Sequence, residues 1–137
     1  MGAKSNAFAS DLLRFIFNGE PIAGLSSESA SKPLYFSLHT AAPEAAGDQS
    51  ANECSYAGYV RASAVRDKQQ FRVTNQAVNL LSAISFPRAG KGKQTATHFG
   101  VGTEGGKLLY SGEIKPAIVV TEGVVAELDK GTTIAES

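Results

Sequence analysis

The sequence predicts an all-β protein, a jelly roll or β-sandwich of about eight strands, carrying one short N-terminal helix. Three observations lead there. Apolar residues in the first twenty positions recur at helical spacing, and from Pro33 onward the period drops to two. Gly, Pro and charged residues then interrupt the chain every few positions, the punctuation of short strands and turns. Helical periodicity does not return after residue 20, which sets aside an alternating β/α plan.

The helix is expected over residues 5–18, "SNAFASDLLRFIFN", where Phe8, Leu12, Phe15 and Ile16 fall at i, i+4, i+7 and i+8 on one face. Leu13 lies off that stripe. Ser5 or Asn6 can cap the start, and Gly19 suits the left-handed position that ends a helix. Residues 20–32, "EPIAGLSSESASK", have no periodicity and read as a connection. The expected division is therefore 1–19 as an attachment helix and 33–137 as the β-sandwich domain.

In the first strand Leu34, Phe36 and Leu38 alternate with Tyr35, Ser37 and His39, the pattern of a half-buried strand. Further strands are expected at 59–65, 71–75, 77–81, 83–86, 95–101, 107–114, 117–121 and 124–128, some of them merging. "EGGK", residues 104–107, is expected to be a hairpin turn. Phe36, Leu38, Ile84, Phe86, Phe99, Val101, Leu109 and Val120 are the expected core. Between strands, residues 41–56 are mostly small and polar and read as a connection across the surface. On that reading, replacing Glu44, Asp48 and Glu53 together by amides should leave the fold intact.

Composition narrows function. A chain of 137 residues is one ordinary domain, able to bury about two-thirds of its unfolded surface without disulfides or metals. Thirteen Lys+Arg balance thirteen Asp+Glu, so no net field draws it to nucleic acid or an anionic membrane, and protein partners are expected. No apolar run is long enough to span a bilayer, and Asp11 and Arg14 interrupt the start, so a soluble, unexported chain is expected. Asn6 stands where a myristoylation signal needs Ser or Thr. The single cysteine, Cys54, has no neighbouring cation to activate it and reads as structural.

The motifs that suggest chemistry each meet a simpler reading. "GVGTEG" places Gly100, Gly102 and Gly105 in a G-x-G-x-x-G pattern, but it leads into the strand "KLLYSGEI" where a dinucleotide site needs a helix. His39 and His98 stand on strand faces that could meet across a sheet; with one remote cysteine they lack zinc-site spacing, and they read as hydrogen-bonded strand residues. No serine sits in a nucleophile elbow. Glu44, Asp48 and Glu53 could supply a glycosidase pair, though loop acids are common for solubility alone. Tyr35, Tyr56, Tyr59 and Tyr110 could form sugar platforms in a carbohydrate-binding module. "RAGKGKQ", residues 88–94, reads as a solvated basic loop. No catalytic, cofactor-binding or metal-binding residue is assigned, and no enzyme is expected.

The order of landmarks is more specific than any one motif: "LYFSLHTAAP", "GDQS", "YAGYVRASAV", "AISFP", "THFGVGT", "KLLYSGEI". This order resembles a family of small bacteriophage virion proteins, often labelled tail-fibre-like, across residues 5–128. "RDKQQFRVTNQAVNLL" departs from it, adding charge where the family is richer in Gly, Ser and Thr. The resemblance implies a structural protein of a phage particle, located in the virion. With no shaft repeat or heptads, a capsid decoration (cement) protein is favoured over a tail-fibre or receptor-binding-associated protein. The expected partners are the major capsid protein or other virion proteins and further copies as a dimer or trimer, with no nucleic acid and no membrane. Phe8, Leu12, Phe15, Ile16 and Phe17 are expected at the partner interface, because they offer more apolar surface than one helix face needs. If so, deleting residues 1–19 should abolish assembly while 33–128 stays folded.

Overall fold

The computed structural model describes residues 6–21, 32–43 and 47–135, with helix side chains from Ala9 onward. Its elements are α1 (Asn6–Asn18), β1 (Leu34–His39), β2 (Ala62–Ala64), β3 (Phe71–Thr74), β4 (Ala77–Leu80), β5 (Ile84–Ser85), β6 (Lys93–Gly102), β7 (Leu108–Thr121), β8 (Glu127–Leu128) and β9 (Thr133–Ala135). The chain is mostly β, as expected, in three separate antiparallel sheets ordered β2-β1-β6-β7, β3-β4-β9 and β5-β8. Two compact units divide it: Met1–Lys32 with Val65–Ala83 and Asp129–Ser137, and Pro33–Ala64 with Ile84–Leu128. The first unit thus groups the helix with residues 65–83 and 129–137, which the sequence assigned to the 33–137 domain.

In the first unit α1 packs on β3 and β4. The buried stripe is Ala9, Leu13 and Phe17, four residues apart, whereas Leu12, Phe15 and Ile16 are only half-buried and the Phe8 side chain lies outside the described residues. This corrects the expected face. Reading by side-chain size favours Phe8 and Phe15, but small Ala9 lets the helix approach the sheet, and Phe17 meets Phe71 edge-on with centroids 5.0 Å apart. The helix end is secured by Arg66, whose guanidinium donates to the Phe15 and Ile16 carbonyls and lies 5.5 Å from the Phe15 ring centroid. Those carbonyls have no partner within the helix, and the positive charge complements its dipole. Gly19 follows in the expected left-handed conformation, φ 69°.

Asn75, at φ 56°, turns β3 into β4, whose far edge is taken by β9. The strand β9 was missed in the sequence because "TIA" is too short for a period of two to register. Its Ile134 is buried, opposite Val78 in the ladder.

In the second unit seven of the eight expected core residues are buried, while Leu109 is half-buried. The strands expected at 107–114 and 117–121 are one strand, β7, running through Pro116. The β6–β7 ladder pairs Ala96 with Ile118 and His98 with Glu113, so Thr97 alone faces residues 114–117. Pro116, with no N–H to give, sits in that unpaired stretch. The turn at residues 104–107 is the expected hairpin, closed by Thr103 N donating to Lys107 O at 3.1 Å.

Candidate functional site

The strand β1 is buried on both faces, not half-buried as its alternation suggested. Its second face is covered by residues 47–56, the passage read as a surface connection. Backbone bonds hold that passage down: Gln49 N to Gly106 O at 2.9 Å, Cys54 N to Leu38 O at 2.8 Å and Thr40 N to Asn52 O at 2.9 Å. Isolated bridges join His39 to Glu53 and Asp48 to Lys107. Asn52 makes the required left-handed turn at φ 55°, which Asn tolerates through its local hydrogen bonding.

Beneath this cover lies a continuous polar chain of Gln49, Ser37 and His39, all fully buried. The Gln49 amide donates to Tyr35 O at 2.8 Å and to Ser37 Oγ at 3.0 Å. Ser37 Oγ, 2.7 Å from His39 Nε2, is left to donate its proton there. His39 Nδ1, 2.8 Å from Ala51 O, must then carry the ring hydrogen and donate to that carbonyl. The imidazole is therefore neutral. Burial, only partly offset by the Ala51 bond and the Glu53 charge, lowers its pKa below the ordinary histidine value.

Gly100 and Gly102 explain the glycine motif. A Cβ at Gly100 would stand 2.7 Å from Ser37 Oγ and 2.8 Å from His39 Nε2, and one at Gly102 would stand 2.3 Å from Gln49 Oε1. The glycines make room for the polar chain. Gln49 Oε1 has no hydrogen-bond donor and is turned toward the Gly102 Cα, an arrangement in which only a weak C–H···O contact is available.

A second cluster follows. Glu53 accepts from Arg61 Nε at 2.8 Å and Nη2 at 2.9 Å, and from Tyr59 O–H at 2.6 Å. The Tyr59 hydroxyl oxygen, Oη, in turn accepts from Leu38 N at 3.2 Å, tying the ion pair to β1. Burial alone would raise the Glu53 carboxyl, but the Arg61 and Tyr59 hydrogen bonds and the guanidinium charge hold it below the usual range. Asp48 is exposed, bonded to Ser50 N and Oγ, and also lowered, chiefly by those bonds. Both carboxylates are ionised at neutral pH, so neither is an acid for glycoside cleavage; Glu44 lies outside the described residues.

The expectation that loop amides are harmless is thus corrected for Glu53. Glu53→Gln leaves the guanidinium without its anion and should cost about 1.5–3 kcal/mol, whereas Asp48→Asn should stay within about 0.5 kcal/mol. Urea midpoints of the two variants measure the contrast. A pH dependence also follows. His39 has a folded pKa below its unfolded one, so its contribution is complete above about pH 6.5 and declines as the pH falls through that value. Glu53 adds a further decline that begins as the pH falls through the ordinary glutamate value, about 4.5, and continues down through its lowered folded value. A stability–pH profile should therefore slope downward below about pH 6.5, and His39→Gln should flatten that first segment.

His39 and His98 are register partners across β1 and β6, as their faces suggested. A Ser–His pair at 2.7 Å is the geometry of an activated nucleophile, but here both side chains are sealed, the hydroxyl is held by Gln49, and the far ring nitrogen meets a carbonyl. The arrangement fastens a segment to a sheet. Cys54 is buried and its thiol is pushed up to about 11, chiefly by burial. Among the tyrosines proposed as sugar platforms, Tyr56 is buried and Tyr59 lies between two rings, edge-on to Tyr56 and stacked on Phe86. Among the described residues no three His, Cys, Asp or Glu side chains gather in a metal-binding group.

Of the expected interface residues, Phe17 is a core residue, and Leu12, Phe15 and Ile16 are half-buried. Sequence reasoning missed Gln49, Arg61 and Ser37. The available signals were the Gln in "GDQS" and the glycines opposite β1.

A model of the family described as "Podophage GP4 fiber I protein gp80" matches residues 3–136, nearly the whole chain. No curated protein matches it.

Proposed function

The chain belongs to that podophage fibre I family, a family of small phage structural proteins, and on this premise we propose that it is a component of the fibre apparatus. The match over residues 3–136 carries the reading. It favours the fibre over the head-surface cement role, which rested on the lack of a shaft repeat; a small separate fibre component needs no shaft of its own. The sealed Gln49–Ser37–His39 chain and the half-buried Glu53–Arg61 pair agree with a structural role, since both hold segments together.

The partners on this reading are other virion proteins and further copies of the chain, as a dimer or trimer. The half-buried Leu12, Phe15 and Ile16, with Phe8, are the contact residues we assign to α1, and Phe17 is withdrawn from that set. A gold-labelled copy should appear on the tail of imaged particles. Label confined to the head surface would overturn the fibre reading, and a strictly monomeric mass in native mass spectrometry would remove self-association.

A further inference from the structure

We propose that a groove in the helix-containing unit binds an acidic saccharide, a sugar carrying carboxylate or phosphate groups. The groove is about 340 Å³ and lies between the end of α1 and β3. This is within the ordinary range of ligand pockets, about 300–1,000 Å³. Its rim carries Arg14, Lys68 and Arg72 against one carboxylate, Glu20, a balance of three positive charges to one negative.

These cations are poorly matched inside the protein. Arg14 is 3.9 Å from Asp11 and Lys68 is 3.9 Å from Glu20, both at the limit of an ion pair and solvent-exposed. Arg72 is exposed and makes no ion pair with any described residue. The Arg72 guanidinium is thus free to receive a planar or tetrahedral oxyanion, and the long, exposed pairs of Arg14 and Lys68 are weak enough for a ligand oxyanion to compete with. The groove also has apolar lining in half-buried Val73 and Leu81, which a bare anion would not use and the C–H face of a pyranose would cover. The Asn18 amide, assigned with its nitrogen toward the strand because the two facing groups are carbonyls, donates to Phe71 O at 3.1 Å and Asp67 O at 3.2 Å and so ties the helix end to the strand. The basic loop at residues 88–94 is different, since Arg88 there is spent on Gly123 O at 2.8 Å. The inference does not depend on where the chain sits in the particle.

The test is an amide NMR titration of the full chain with trigalacturonate, with neutral maltotriose and with inorganic phosphate. Trigalacturonate should shift the amides of Arg14, Lys68, Arg72 and Leu81, and weaken with added salt. Maltotriose should not shift them. Lys68→Glu and the milder Arg72→Gln, both at exposed positions, should each weaken binding, the former by about tenfold or more, with the remaining spectrum unchanged. Absence of shifts, shifts spread equally to Lys91 and Lys93, or equal affinity for phosphate alone would each overturn the proposal, the last by showing an ion site without sugar recognition.

Discussion

Phe17→Ala is expected to destabilise the helix-containing unit by about 3–5 kcal/mol, the cost of removing a large ring from a site that cannot collapse around the space it leaves. Phe17 is fully buried at the C-terminal end of the Ala9–Leu13–Phe17 stripe, with the Phe71 ring 5.0 Å away. Arg66 and Asn18 hold the helix end to its surroundings, so the helix is poorly able to slide inward and refill the gap. Leu12→Ala, on the half-buried side, should cost clearly less. Urea unfolding, with hydrogen exchange of β3, β4 and β9 amides as the local readout, measures the difference. Equal losses from both variants would show that the helix is packed by the face read from the sequence. The same packing bears on deletion of residues 1–19, which would uncover Phe71 and the face of β3 and β4 on which the helix packs and is therefore expected to disturb 65–83 as well as any assembly.

Gly102→Ala should destabilise the sheet-rich unit by about 1–3 kcal/mol or more through overpacking. The new Cβ would lie 2.3 Å from Gln49 Oε1, 2.4 Å from Gln49 Cδ and 2.6 Å from Lys107 O. Gln49 has no free direction in which to retreat because its amide is bonded to Tyr35 O and Ser37 Oγ. Lys107 O is backbone and accepts the Thr103 N–H of the hairpin. Truncating Gln49 to Ala in the same chain should therefore recover only part of the loss, and the double-mutant cycle reads that coupling. Gly105→Ala, where a Cβ meets nothing within 4 Å, is the control and should be nearly neutral. A Gly102→Ala variant as stable as Gly105→Ala would mean that the 47–56 segment does not rest on β6 in solution.

The three glycines of "GVGTEG" show why a motif alone misleads: two serve the approach of a buried side-chain chain, and the third belongs to a hairpin turn. Neither role is visible without knowing what lies opposite them. Glu53 carries the same lesson. In sequence it is one of several acids in a polar stretch, whereas in the fold Arg61, eight residues on, closes on both of its oxygens with one bidentate fork.

By itself the sequence determined the β class, the helix now seen at Asn6–Asn18, the hairpin at 104–107, seven of eight core positions and the phage structural family. Those properties are written in local patterns: periods of 3.6 and 2, turn residues, and landmarks in order along the chain. Only the tertiary structure decided that the helix buries its Ala9 stripe, that β9 completes a sheet, and that the polar passage is folded onto β1. Each of these depends on a partner distant in sequence, Phe71 for the helix, β4 for β9, and Gly100 and Gly102 for Gln49, Ser37 and His39. A local pattern reports which side chains are apolar, but burial is decided by the shape and hydrogen bonding of whatever surface arrives from elsewhere in the chain.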